Sequence, residues 1–113
     1  MADPVVHFEI GGPHLQTLTE FYANLFGWQI SASEGYAQVD TGGLRGGLVE
    51  SESTTVNLGV QVDDLAVALE QATELGGTIE MPATDNGWVV KALVRDPAGN
   101  LVSLIQSDKP ETE

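Results

Sequence analysis

Residues 5–10 read Val5-Val6-His7-Phe8-Glu9-Ile10, and fifty positions later Val56-Asn57-Leu58-Gly59-Val60 repeats their apolar spacing. The same shift lays Leu15 on Leu65, Leu25 on Leu75 and Gly27 on Gly77. Few residues are identical, yet the apolar positions and the glycine punctuation agree, which is the mark of a duplicated unit. Towards the ends of the halves Leu48-Val49 aligns with Leu101-Val102 at an offset of 53. The second half is therefore expected to carry about three extra loop residues.

Each half has one local grammar. Val5 to Ile10 and Val56 to Val62 are rich in β-formers and read as strands. Leu15, Leu18, Phe21, Tyr22 and Leu25 then recur at helical spacing up to Gly27, as do Leu65, Ala68, Leu69, Ala72 and Leu75 up to Gly76-Gly77. Asp63 or Asp64 can cap the second helix. Three short strands follow in each half: Trp28 to Ser31, Tyr36 to Asp40 and Gly47 to Glu50, then Thr78 to Met81, Trp88 to Val94 and Leu101 to Gln106. Glu34-Gly35, Thr41-Gly42-Gly43, Asn86-Gly87 and Asp96-Pro97-Ala98-Gly99-Asn100 supply the turns. Gly46-Gly47 reads as a bend or bulge leading into its strand.

The reading is β-α-β-β-β twice, with a first module over about 5–51, a second over about 55–106, and a polar tail at 107–113. A module of this size is too small to stand alone, so the two are expected to share one domain spanning 1–113. The fold class is α+β: two βαβββ modules forming a curved sheet, with a central cleft and the helices outside.

Composition narrows the function. The 113 residues hold 4 Lys and Arg against 17 Asp and Glu, a formal charge of −13. So few cations cannot neutralise many phosphates, which argues against nucleic acid and against anionic membrane surfaces. An acidic surface serves solubility or attracts a cationic compound. Cysteine is absent, excluding disulfides, thiolate nucleophiles and cysteine-ligated metals. No leader-like segment or long apolar run is visible, so a cytoplasmic location is expected.

Strand alternation assigns faces. Phe8, Ile10, Leu58, Val60, Val62, Val49, Val102 and Leu104 are expected under the helices. His7, Glu9, Asn57, Gly59, Gln61, Leu48, Glu50, Leu101, Ser103 and Ile105 are expected to face the cleft. Such a mixture of polar and apolar side chains suits a small-molecule pocket, a half-solvated sheet or a face covered by a partner. Phe21, Tyr22 and Phe26 read as core, and Tyr36 and Trp88 stand near a cleft rim where either can stack on a planar ligand. His14 reads as an exposed residue at a helix start. No serine-nucleophile elbow or phosphate-binding glycine loop occurs.

Val6-His7-Phe8-Glu9-Ile10, Phe21 to Trp28 (FYANLFGW), Val62-Asp63-Asp64-Leu65, Leu75-Gly76-Gly77 and Asp96 to Asn100 (DPAGN) together resemble the vicinal oxygen chelate superfamily. That superfamily includes glyoxalase I, extradiol dioxygenases and bleomycin-resistance proteins, and the resemblance runs from about Val5 to Gln106. It implies ligand positions on the first and last strand of each module, which here fall on His7, Glu50, Asn57 and Ser103. Of these, His7 and Glu50 are credible metal ligands, whereas an amide and a hydroxyl are weak neutral donors. Glu9 shares the face of His7 but lies about 6–7 Å along the strand.

The resemblance thus implies a small-molecule-binding protein with an incomplete metal-ligand set and no cofactor. Its contact candidates are His7, Glu9, Tyr36, Glu50, Asn57, Gln61, Trp88 and Ser103. The ligand would be cationic or aromatic, and the protein a homodimer, as relatives of this length commonly are. The alternatives are a divalent-metal-dependent lyase, isomerase or dioxygenase of the glyoxalase type, and a non-catalytic interaction module.

Overall fold

The computed structural model describes residues 2–87 and 89–107. Trp88 and the tail from position 108 lie outside the described residues. The elements run β1 (Val5–Gly12), α1 (Leu15–Phe26), β2 (Gln29–Ser33), β3 (Tyr36–Asp40), β4 (Arg45–Glu50), β5 (Thr55–Val62), α2 (Leu65–Glu74), β6 (Thr78–Asp85), β7 (Val90–Arg95) and β8 (Leu101–Gln106). The chain is α+β, as the duplicated spacing predicts, and it divides into two units. One unit is Val6–Asn57; the other takes Leu58 onward together with the residues up to Val5.

In the Val6–Asn57 unit the strand order is β2-β3-β4-β1. The hairpins β2–β3 and β3–β4 are antiparallel, and β4 returns parallel to β1. A parallel return needs a crossover, and α1 with the β2–β3 hairpin provides it. Leu15 on α1 packs with Ala37, Val39 and Leu48, and Phe8, Ile10, Leu18, Tyr22, Trp28 and Ile30 complete the cluster. Trp28 stacks on Tyr22 with the rings 5.3 Å apart and 11° from parallel.

Phe21 and Phe26, expected in the core, are each 55% exposed. Helical spacing cannot separate a buried stripe from its flanks, and the bulk of Trp28 and Tyr22 already fills the space beneath α1. Gly27 ends α1 with φ 73°, its N–H bonded to the carbonyl of Ala23 at 2.9 Å.

The face expected for the end of β4 is inverted. Leu48 is fully buried in the α1 cluster, so Glu50, two residues on, also points to the helix side. There its Oε1 accepts the N–H of Leu15 at 2.9 Å and its Oε2 that of His14 at 3.2 Å. His14 stands at the N-cap with φ 63° and its side chain makes no capping hydrogen bond. The carboxylate from β4 therefore does the capping, and its charge suits the positive end of the helix dipole.

In the other unit the order is β5-β8-β7-β6, with β5 and β8 parallel and the hairpins antiparallel. Val62, Leu65 and Ala92 form the core with Val60, Ala68, Leu69, Val90 and Leu104 around them. Leu58, expected beneath the helix, is 47% exposed. The helix begins four-square on two side chains. Asp64 accepts from the Val67 N–H at 3.2 Å, while Gln106 accepts from the Leu65 N–H at 2.9 Å and donates to the Asp63 carbonyl at 2.6 Å. Gln106, at the end of β8, thus does for α2 what Glu50 does for α1.

The registers correct the repeat. Glu9 pairs with Gly47 and Gly59 with Ser103, so the β8 counterpart of Gly47 is Ser103, at an offset of 56 (103 less 47) rather than 53. Glu50 corresponds to Gln106, not to Ser103. Much of the extra length sits in the β6–β7 hairpin, where β6 has 8 residues against 5 in β2 and its register shifts twice.

The turn before β8 is held by Asp96. Its Oδ1 accepts from the N–H groups of Ala98 at 2.9 Å and Asn100 at 2.8 Å, and its Oδ2 from the Asn100 side chain at 3.0 Å. These bonds, that of the Asn100 side chain first, hold the Asp96 carboxyl below its ordinary range.

Candidate functional site

The sheet of the Val6–Asn57 unit has one face under α1 and one free of it. Phe8, Ile10, Ile30, Ala37, Val39 and Leu48 occupy the first. Alternation and register then arrange the second face in transverse rows. Gln29, Asp40, Arg45 and His7 form one row across β2, β3, β4 and β1; Ser31, Gln38, Gly47 and Glu9 form the next. Neighbours in a row stand on strands about 4.8 Å apart, so their side chains can act on one small molecule together.

The face is hollowed. A pocket of about 420 Å³ is lined by His7, Gln29, Ser31, Tyr36, Gln38, Asp40 and Arg45 among others. The volume falls at the small end of the range of ligand pockets. Gly46 and Gly47 lie inside β4, not at a bend before it, because β4 begins at Arg45. A Cβ on Gly46 would collide with the Phe8 ring, and one on Gly47 with the Tyr36 hydroxyl. The phenol of Tyr36 therefore lies in the space that a side chain at position 47 would take.

Tyr36 is partly buried, and burial raises its pKa above the ordinary 10.0; the negative charge of Glu9 raises it further. Neutral pH leaves it a protonated donor. The Asp40 carboxylate is turned to the β3–β4 connection, where Oδ1 accepts the Gly42 N–H at 2.9 Å. Arg45 makes no ion pair among the described residues, whereas Arg95 in the other unit holds Glu80 at 3.0 Å and the Gly99 carbonyl at 2.8 Å.

The expected contact residues separate accordingly. His7 and Tyr36 line the pocket, and Glu9 bears electrostatically on Tyr36. Glu50 caps α1 and lies five ladder positions from His7, since His7 pairs with Arg45 and Gly12 with Glu50. At about 3.3 Å per residue that is roughly 16 Å. Asn57 is buried at the end of this unit; Ser103, equally buried, and Gln61 belong to the other. The backbone N–H of Gln61 donates to the Pro4 carbonyl at 3.0 Å. Trp88 lies outside the described residues.

Gln29, Ser31, Gln38, Asp40 and Arg45 also line the pocket and are not among the contacts expected from the sequence. Strict alternation in Tyr36-Ala37-Gln38-Val39-Asp40 carries the signal for β3, because its small and apolar residues are those buried under α1.

Among the described residues no group of three His, Asp or Glu side chains is placed to hold a metal ion, and no helix is long and apolar enough to cross a membrane. The glyoxalase-like domain family model matches residues 7–105. None of the curated proteins matches the chain. In fold it is similar to a glyoxalase/bleomycin resistance protein/dioxygenase superfamily member from Vibrio splendidus 12B01. The two share 15% identity and a TM-score of 0.72 over 94% of this chain and 100% of that one. Methylmalonyl-CoA epimerase from Mycobacterium tuberculosis is similar at 16% identity and a TM-score of 0.69, over 93% and 88% of the two chains. The Mn(II)-bound glyoxalase from Novosphingobium aromaticivorans is similar at 14% identity and a TM-score of 0.66, over 97% of this chain and 44% of that one.

Proposed function

The chain belongs to the glyoxalase-like domain family, and from that premise we propose that it is a small-molecule-binding member with an incomplete metal-ligand set. The observation that carries the reading is the 420 Å³ pocket on the helix-free face of the Val6–Asn57 unit, walled by polar side chains of three strands and His7 of a fourth. A hollow with a few placed polar groups is what orients a small ligand.

The donors do not fit a catalytic divalent ion. Such an ion takes three or four strong protein ligands and keeps a position open. Glu50 is engaged at the start of α1, Gly47 has no side chain at the ladder position of Ser103, and Asn57 and Ser103 offer neutral oxygens. His7 is left as the one imidazole of the proposed set. We therefore derive no step through a metal.

A fragment library titrated against isotope-labelled protein tests the pocket. Bound fragments should move the backbone amide signals of Ser31, Gln38 and Arg45, and Ser31→Trp, which fills the space, should abolish the shifts. An absence of such hits overturns the reading. Calorimetry with Ni²⁺, Zn²⁺ and Fe²⁺ should show no tight stoichiometric binding; tight binding lost on His7→Ala would replace it with the metal-dependent alternative. A cytoplasmic homodimer is part of the same proposal. The exposed Phe21, Leu25 and Phe26 on α1 support association, and sedimentation that gives a monomer at every concentration removes that part.

A further inference from the structure

We propose that this pocket takes the carboxylate of a small organic acid, with the guanidinium of Arg45 as its anchor. The inference rests on the small-molecule reading of the pocket and adds the charge of the ligand to it.

Arg45 is the sole Lys or Arg between Val6 and Asn57, a stretch that holds six Asp and Glu. The fold sets this single cation in the pocket wall. Its cross-strand neighbour Asp40 lines the same pocket, yet its Oδ1 accepts the Gly42 N–H and it forms no ion pair with Arg45. No ion pair forms at Arg45 among the described residues, and no hydrogen bond ties its side chain to another described residue. Arg95 shows what this chain does with a structural arginine: it binds a carboxylate and a carbonyl at once.

The guanidinium is a rigid planar fork matched to a carboxylate, and it accepts nothing; Arg45 is exposed, so water satisfies it until a bidentate acceptor displaces that water. Its row neighbour His7 lines the pocket beside it. The amides of Gln29 and Gln38 and the hydroxyl of Ser31 serve the remainder of the ligand. The overall charge of −13 attracts cations at long range, but salt screens that field within about 8–10 Å, and the groups in contact decide what stays bound. Asp40 stands in the same wall, but its carboxylate is engaged by the Gly42 N–H, which leaves Arg45 as the charged donor there.

Three probes of one size and shape separate the possibilities on the full chain: benzoate, benzamide and benzamidinium. The readout is the backbone amide spectrum together with the Arg45 Nε–H signal. Benzoate is expected to move the Ser31, Gln38 and Arg45 signals and to bind about tenfold or more tightly than benzamide. Arg45→Gln should remove that preference, while Arg45→Lys keeps part of it. An unaltered spectrum outside the pocket shows that each variant is folded. Equal binding of benzoate and benzamide, or preference for benzamidinium, overturns the inference and leaves the pocket reading standing. Failure of all three probes and of the wider fragment library to move those signals overturns both.

Discussion

A carboxylate at the end of a strand can serve a ligand or a helix, and Glu50 serves the helix. Its two oxygens take the first free N–H groups of α1, so Glu50→Ala should cost about 1 kcal/mol of stability, read as a lower urea midpoint. Binding of pocket fragments should be unaltered, which a ligand role would not allow. Tyr36 offers a second test. Because burial and Glu9 raise its pKa, the fold binds the phenolic proton more firmly than the unfolded chain does. Its contribution is whole below the ordinary value of 10.0 and is lost as pH rises beyond it. Tyr36→Phe should therefore flatten the alkaline fall in stability measured by denaturation between about pH 9 and pH 11. Gly47→Ser should destabilise the chain by about 1–3 kcal/mol, because its Cβ enters the space held by the Tyr36 hydroxyl. Pairing it with Tyr36→Ala should recover part of the loss, measured as a non-additive double-mutant cycle.

At the scale of elements, the strands and helices were legible wherever alternation or helical spacing ran long enough. Tyr36–Asp40 and Leu101–Gln106 match their expected bounds, and Gly27 stops α1 where its freedom at positive φ suggests. β4 was not legible. Leu48 and Val49 are adjacent apolar residues preceded by two glycines, so alternation has no contrast from which to assign the buried side. Once that face is inverted, Glu50 stands at the start of α1 and Arg45 on the helix-free face. The error in offset has the same origin, since Leu48-Val49 was laid on Leu101-Val102 by apolar likeness alone. The Asp96 turn, legible as a loop, carries a pH dependence. A lowered aspartate stabilises the fold above its ordinary value near 3.8, and that contribution disappears as pH falls through the lowered value. Asn100→Ala removes the largest cause, so the variant should lose stability at neutral pH and show a shallower acid transition than the parent chain.

For the whole molecule, charge is the dominant quantity. The chain carries −13, and the ion pair of Arg95 with Glu80 is half-exposed and weak. Self-repulsion therefore works against the folded state, and screening relieves it. The melting temperature should rise by a few degrees between about 0.01 M and about 0.5 M NaCl, measured by scanning calorimetry. A flat response would mean that the acidic groups are already spaced beyond mutual reach. The duplicated plan itself was readable at this scale because a period of fifty survives divergence of nearly every residue identity. The pocket was less so, since its walls come from short strands whose polar side chains resemble any solvated face.

The mutual exclusion of Tyr36 and a side chain at position 47 also makes the order of change matter. Anyone trying to build an acidic donor into β4 must first cut back position 36, because the reverse order passes through a chain with two groups in one volume. A library varying one site at a time would score position 47 as costly while Tyr36 is in place. Joint randomisation of both sites avoids that cost, and the cheaper stepwise route changes position 36 first.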